Sequence, residues 1–107
     1  PAGHALDAVT CGAAAAIGRG DELGSIEVGA RADLAVVNLD EPHLTPSPDP
    51  VHALVYGASG ADVETVLCDG TVLLDGGELR AMDEPVSEFL ETASAAAADI
   101  LERARIR

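Results

Sequence analysis

The strongest constraint on the fold of this chain is an Asp-Gly pair that separates two short runs of β-favouring residues. Residues 63–68 (Val-Glu-Thr-Val-Leu-Cys) and residues 71–74 (Thr-Val-Leu-Leu) flank Asp69 and Gly70. A two-residue loop of this composition favours a type I′ turn, because both of its positions need a positive φ. The pattern therefore predicts an antiparallel β-hairpin. Residues 75–77 predict a second turn before a brief strand at 78–80.

A second glycine-punctuated segment covers residues 24–39. It predicts a short strand, a turn at Gly29 and an apolar strand at 34–37 that follows Asp33. Four consecutive apolar positions are typical of a strand that is covered on both faces and lies centrally in a sheet. We expect Asp33 to accept hydrogen bonds from nearby backbone amides rather than to act as a general base.

The proline-rich segment 40–50 predicts an irregular but ordered crossing loop, because proline cannot donate to a regular hydrogen-bond ladder. Residues 51–56 after it predict a short apolar strand, and residues 57–60 predict a turn.

Two segments have helical periodicity. Residues 5–17 place apolar side chains at helical spacing and end at Gly18. Residues 83–107 predict a longer helix with Asp83 as its cap, Pro85 in its first turn and acidic residues preceding arginines. The predicted fold class is α+β, with a small β-sheet flanked by an N-terminal and a C-terminal helix.

Composition limits the function classes. The 107 residues allow one domain at most, and the net charge is −13, with 19 acidic groups against 6 arginines and no lysine. This charge repels phosphate, so we expect no nucleic-acid partner. It fits either an ordinary acidic surface or a protein from a high-salt cytoplasm, where dense counterions screen self-repulsion.

The cysteines and the apolar segments indicate the cellular location. Cys11 and Cys68 lie far apart in apolar elements, so buried free thiols are expected, with one disulfide as the alternative. No secretory signal is visible in these residues, and no apolar run approaches the ~18–20 residues of a membrane span. A cytoplasmic protein without a membrane partner is expected. The start at Pro1, without an initiator methionine, suggests weakly that the chain was cut from a longer one.

No residue is assigned a catalytic or metal-binding role from its pattern. The histidines are His4, His43 and His52, and the spacing of the last two matches no common zinc motif. We expect structural or solvent-exposed histidines, although Asp49 or Cys68 could in principle complete a site. Substrate-binding residues stay unassigned.

The 24–34 segment, Gly-Ser-Ile-x-x-Gly-x-x-Ala-Asp-Leu, resembles the signature that follows the catalytic barrel in the amidohydrolase superfamily. Segments 42–46, 49–56 and 60–66 follow in an order similar to that of the subgroup of chlorohydrolases and methylthioadenosine/S-adenosylhomocysteine deaminases. The structural-motif residues of this resemblance are Gly24, Gly29, Asp33, Asp69 and Gly70.

The resemblance implies a parent enzyme with a metal-binding (β/α)8 barrel beside a composite β-sandwich. Residues 1–19 would be the last barrel-type helix, residues 20–82 the C-terminal part of the sandwich, and residues 83–107 the C-terminal helix. The implied reaction acts on C–N or C–Cl bonds of a heteroaromatic ring, with hydrolytic deamination of an adenosine-like nucleoside favoured. Zinc or iron would sit in the parent barrel and none on this chain, so the isolated chain is expected to be inactive.

The resemblance also implies a partner. The family sandwich takes strands from the N-terminal segment, so a sheet edge would be exposed here. We expect the chain to pair through that edge with the N-terminal and barrel portion of the parent, to form a homo-oligomer, or to be marginally folded. The alternative is a free-standing protein-interaction module that uses the open edge.

Overall fold

The computed structural model describes residues 1–105. Along the chain these form α1 (Ala2–Val9), α2 (Cys11–Ala16), β1 (Leu34–Val37), α3 (Pro50–Tyr56), a 3-10 turn (Gly60–Asp62), β2 (Val63–Cys68), β3 (Thr71–Asp75), β4 (Glu78–Leu79) and α4 (Val86–Ala104). The predicted α+β class is confirmed. Residues 106 and 107, which the predicted last helix included, lie outside the described part.

The strands form one antiparallel sheet in the order β1-β2-β3-β4. The predicted hairpin is confirmed, because Cys68 lies opposite Thr71 in the β2–β3 pair. Its turn residues Asp69 and Gly70 have φ of 48° and 81°, as the type I′ turn requires. Local turn chemistry therefore fixes the pairing next to the turn, and the register shifts between Val66 and Leu67.

Two predictions about the glycine-punctuated segment are wrong. Residues 24–28 form bends and irregular backbone rather than a strand, and both Gly24 and Gly29 have positive φ, which breaks an extended ladder. Strand β1 pairs only with β2 and lies at the end of the sheet order, and Ala35 and Val36 are exposed. The apolar run is suited to a covered strand, but residues 1–105 do not supply the cover.

Residues 50–56 form helix α3, so the predicted strand is wrong. The Asp49 carboxylate accepts hydrogen bonds from the backbone N–H groups of Val51 at 3.0 Å and His52 at 3.4 Å. Pro50 occupies the first turn, where its missing N–H has no cost. These start signals outweigh the β-propensity of the valines that follow.

The predicted helix at 5–17 is divided in two at Thr10. The Thr10 hydroxyl donates to the Leu6 carbonyl at 2.7 Å, and its backbone has φ −117° and ψ −99°, outside the helical region. Helix α2 is then followed by Gly18 with φ +75°. A threonine hydroxyl that bonds back to the preceding turn competes with helix continuation.

The C-terminal helix begins later than predicted. It starts at Val86 with Pro85 at the N-cap position and no side-chain cap, so Asp83 does not cap it and Pro85 is not in its first turn. The cysteines are free, but both are exposed, so their predicted burial is wrong. Cys68 lies beside the hairpin turn, where the sheet offers little cover.

The described residues enclose very little core. Their buried apolar side chains are Ala14, Leu44 and Ala53, and α4 has no buried residue. The accessible surface is 8049 Å², whereas a compact monomer of this mass exposes about 5,500 Å². The radius of gyration is 18.2 Å, against about 13 Å for a compact domain of this length. The described residues thus leave much apolar surface exposed, including Val36, Phe89 and Leu90.

Candidate functional site

The structure brings three of the five motif residues together at the tip of the β2–β3 hairpin. The Asp33 carboxylate Oδ1 accepts a hydrogen bond from the Asp69 backbone N–H at 2.6 Å. The Gly70 backbone N–H donates to the Ala32 carbonyl at 3.0 Å. The residues before β1 therefore hold the hairpin turn from the side, which explains why an acidic residue precedes the strand.

An arginine completes this cluster. Arg31 Nη1 lies 3.2 Å from Asp69 Oδ2, and Arg31 Nε lies 2.8 Å from Glu22 Oε2. Glu22 also accepts a hydrogen bond from Arg19. Hydrogen bonds from Arg31 and then from Arg19 lower the pKa of Glu22, and the hydrogen bond to Glu22 raises the pKa of Arg31.

The chemistry of this cluster is structural. The carboxylates of Glu22, Asp33 and Asp69 are all engaged, with backbone amides or guanidinium groups. Exposed ion pairs of this kind add little stability individually, but together they fix the geometry of a loop. Sequence reasoning missed Arg31 and Glu22; the position of Arg31 inside the Gly-x-x-Ala-Asp pattern was the available signal.

The other two motif residues lie apart from the hairpin tip. Gly24 packs on the junction between α1 and α2, where a Cβ would lie 2.7 Å from the Thr10 carbonyl oxygen and 2.8 Å from Cys11 Cα. Gly29 has φ +93°, and a Cβ there would meet nothing within 4 Å. Both positions therefore need glycine for the backbone angle, but only Gly24 also needs it for packing.

A second polar cluster contains the best-buried charge among the described residues. The Asp62 side chain is 5% exposed, and its Oδ2 lies 2.9 Å from His43 Nε2. The same oxygen accepts a hydrogen bond from the Ser59 backbone N–H at 2.8 Å. The hydrogen bond from His43, and then the one from the Ser59 amide, lowers the pKa of Asp62.

Sequence reasoning missed the contact between His43 and Asp62, which joins residues 19 positions apart. The available signal was local to Asp62. Ser59 and Asp62 have the spacing of a capping box, which the 3-10 turn confirms. His4 lies in α1 and His52 in α3, so the structure distributes the three imidazoles over different elements.

Two concave regions accompany these clusters. A cavity of about 270 Å³ lies between the 38–49 loop and α3, and the rings of His52 and Tyr56 are 4.6 Å apart on its α3 side. An apolar groove of about 540 Å³ lies between α1, the turn at 24–26, β1 and α3. Its lining residues are Leu6, Asp7, Thr10, Gly24, Ser25, Ile26, Asp33, Leu34, Ala35, Val37 and Leu54.

Neither region holds a metal centre. Among residues 1–105, no group of three or more histidine, cysteine or acidic side chains is arranged to bind a metal ion. A catalytic divalent metal therefore does not fit the side chains described for this chain. Within the same residues, no helix combines the length and the apolar character needed to cross a membrane.

Comparison with known proteins places these features in a family. The profile of the amidohydrolase family matches residues 1–73. The chain is 46% identical over 104 residues to the 5-methylthioadenosine/S-adenosylhomocysteine deaminase of Halobacterium salinarum. That match covers 97% of this chain and 23% of the relative. It is 47% identical over 81 residues to the 5'-deoxyadenosine deaminase of Methanothermobacter thermautotrophicus, covering 76% of this chain and 18% of the relative.

A solved structure gives the same assignment. The adenosine deaminase from Xanthomonas campestris with bound zinc superposes with a TM-score of 0.85 and 34% identity, over 94% of this chain and 22% of that one. The chain thus spans about a fifth of the length of the curated relatives that it matches.

Proposed function

We propose, since the chain belongs to the amidohydrolase family, that it is the C-terminal structural module of a larger metal-dependent amidohydrolase. The parent reaction is hydrolytic deamination of an adenosine-like nucleoside. The observation that carries this proposal is the similarity, over nearly the whole chain, to a nucleoside deaminase whose remaining four-fifths has no counterpart here. The chain itself contributes no catalytic group.

The exposed apolar surface of the described residues is evidence for a partner that is covalently linked or tightly bound. The described residues expose roughly 2,500 Å² more than a compact chain of this mass, which exceeds the ~800 Å² per partner of a standard interface. The apolar groove borders β1, whose outer edge is unpaired among residues 1–105. We assign this surface to the N-terminal and barrel portion of the parent rather than to a homo-oligomer.

The proposed division of the chain follows from this partner. Residues 1–19 would close the barrel, residues 20–82 would complete a β-sandwich with strands from the other chain end, and residues 83–107 would pack on the outside. The role of this chain is then to support the barrel, with the motif residues fixing the sheet next to it.

The metal of the parent would be a divalent ion bound by barrel residues. Zinc is favoured over iron because the adenosine deaminase from Xanthomonas campestris is described with bound zinc. Such an ion, when bound, lowers the pKa of a coordinated water toward ~7. The side chains described in this chain offer no ligand set for it.

We also assign the parent to the cytoplasm of a salt-adapted cell. The net charge of −13 and the absence of lysine support this, as does the 46% identity to a relative from Halobacterium salinarum. Dense counterions would screen the acidic surface there.

The proposal is tested by ammonia release. The test uses the longest polypeptide encoded in frame with this sequence, purified with zinc. It is offered 5'-methylthioadenosine, S-adenosylhomocysteine, 5'-deoxyadenosine and a chlorotriazine. The 107-residue chain alone is the control. Ammonia from a nucleoside with the long form only is the expected result. Release of chloride from the triazine, without ammonia from a nucleoside, would mean that the parent reaction is dechlorination and not deamination. A start codon immediately before the codon of Pro1 would instead favour the free-standing interaction module.

A further inference from the structure

The loop between β1 and α3, residues 38–49, is held by three contacts, one with Gly57 and two with Asp62. Leu44 is 5% exposed, and it packs so closely on Gly57 that a Cβ there would lie 2.8 Å from Leu44 Cδ2. The adjacent His43 reaches Asp62. The start of the loop is tied to the same residue, because the Asn38 backbone N–H donates to the Asp62 carbonyl at 2.8 Å. Asp62 is therefore the anchor of this loop.

The anchor is a buried carboxylate with one titratable partner. Its oxygens receive hydrogen bonds from Ser59, which is neutral, and from His43. No arginine lies within ion-pair distance of Asp62 among the described residues, so His43 is the group that brings a positive charge to it. An ionised carboxylate only accepts, so Nε2 of the imidazole carries the proton that joins them.

Protonation of the other ring nitrogen changes the strength of this contact. A neutral imidazole donates an ordinary hydrogen bond to the carboxylate, whereas an imidazolium donates a charge-assisted one, which is roughly twice as strong. The side chain of His43 is half-exposed, so solvent can deliver the proton. The hydrogen bond from His43 lowers the pKa of Asp62, which favours the ionised carboxylate that the latch needs.

We infer that His43 and Asp62 form a pH-dependent latch, which fastens the 38–49 loop more tightly when the imidazole is protonated. The loop that the latch fastens also forms one wall of the 270 Å³ cavity, since residues 43–47 line it opposite α3. This inference does not depend on the proposed enzymatic function.

Other titratable groups face the same space. His52 and Tyr56 line the cavity from α3, and Glu41 in the loop accepts a hydrogen bond from the Asn38 side chain at 3.2 Å. A protonated His52 would repel a protonated His43 and so oppose the latch. His52 is therefore the matched control, since it is a second imidazole on the same cavity, and residues 1–105 place no carboxylate within ion-pair distance of it.

The test is hydrogen exchange of the loop amides in the polypeptide that carries this sequence. Protection of the Leu44 N–H, which donates to the Glu41 carbonyl at 2.9 Å, is compared at about pH 5.5 and about pH 7.5, after correction for intrinsic exchange. We expect about fivefold greater protection at the lower pH. Amides of the β2–β3 hairpin serve as an internal reference that does not change.

Two variants decide the mechanism. His43→Gln keeps an N–H donor toward Asp62 but cannot titrate, so the pH response of the loop should disappear while the hairpin stays protected. His52→Gln should retain the response. An unchanged loop in the wild type, a response that survives His43→Gln, or one that disappears in His52→Gln would each overturn the latch.

Discussion

The packing of Gly24 on the α1–α2 junction makes a sharp prediction, because Gly29 is a matched control five residues away. Both glycines have nearly the same φ, +89° and +93°. They differ in their surroundings, since a methyl group on Gly24 would be driven into backbone atoms of Thr10 and Cys11, whereas one on Gly29 would enter open space. Alanine at the two positions therefore separates backbone strain from steric overlap.

The magnitudes follow from those two contributions. Holding an L-residue at positive φ costs about 1–2 kcal/mol, and both variants share this cost. The overlap at Gly24 involves backbone rather than a flexible side chain end, with separations of 2.7–2.9 Å. Overpacking of this kind adds about 1–3 kcal/mol. We expect Gly24→Ala to lower the free energy of unfolding by about 2–5 kcal/mol and Gly29→Ala by about 1–2 kcal/mol.

Urea denaturation followed by far-ultraviolet circular dichroism measures both values in the same polypeptide. The m-values of the two variants should agree, so that the midpoints report stability alone. A difference between the two variants smaller than about 0.5 kcal/mol would refute the reasoning. It would mean that the α1–α2 junction moves away from the turn without cost.

Three further predictions address the hairpin tip, the buried acid and the surface charge. Asp33→Ala removes the acceptor for the Asp69 N–H and should lower the free energy of unfolding by about 1 kcal/mol in the same denaturation assay. Asp33→Asn keeps an acceptor oxygen and should lose less stability. Equal losses in the two variants would contradict the assigned hydrogen bond. The pKa of Asp62 is lowered in the folded state, so the stability that Asp62 contributes is present above its ordinary pKa of 3.8 and is lost as the pH falls through the lowered value. Asp62→Asn should therefore flatten an acid titration of ellipticity in that range. An unchanged titration in the variant would contradict this role of Asp62. The melting temperature should rise with molar KCl because counterions screen the net charge of −13, and a flat salt dependence would exclude salt adaptation.

Sequence patterns succeeded where the relevant information lies within a few residues. The Asp69-Gly70 turn and the strands beside it were predicted because turn chemistry and alternating β-propensity are local. The start of α3 was also encoded locally, in Asp49 and Pro50, but residues 51–56 were predicted as a strand from their apolar run. The helix-start signal was present in the sequence and was not used.

The contacts that organise the candidate site were decided by the tertiary structure. Asp33 bonds the amide of a residue 36 positions away, and His43 bonds an acid 19 positions away. No local pattern specifies such pairs, because they depend on how the sheet and the loop bring separate segments together. The sequence by itself determined the hairpin, the helical character of the two chain ends, the acidic charge and the family resemblance. Only the tertiary structure decided that β1 lies at the edge of the sheet formed by residues 1–105, because burial depends on which neighbours the rest of the fold provides.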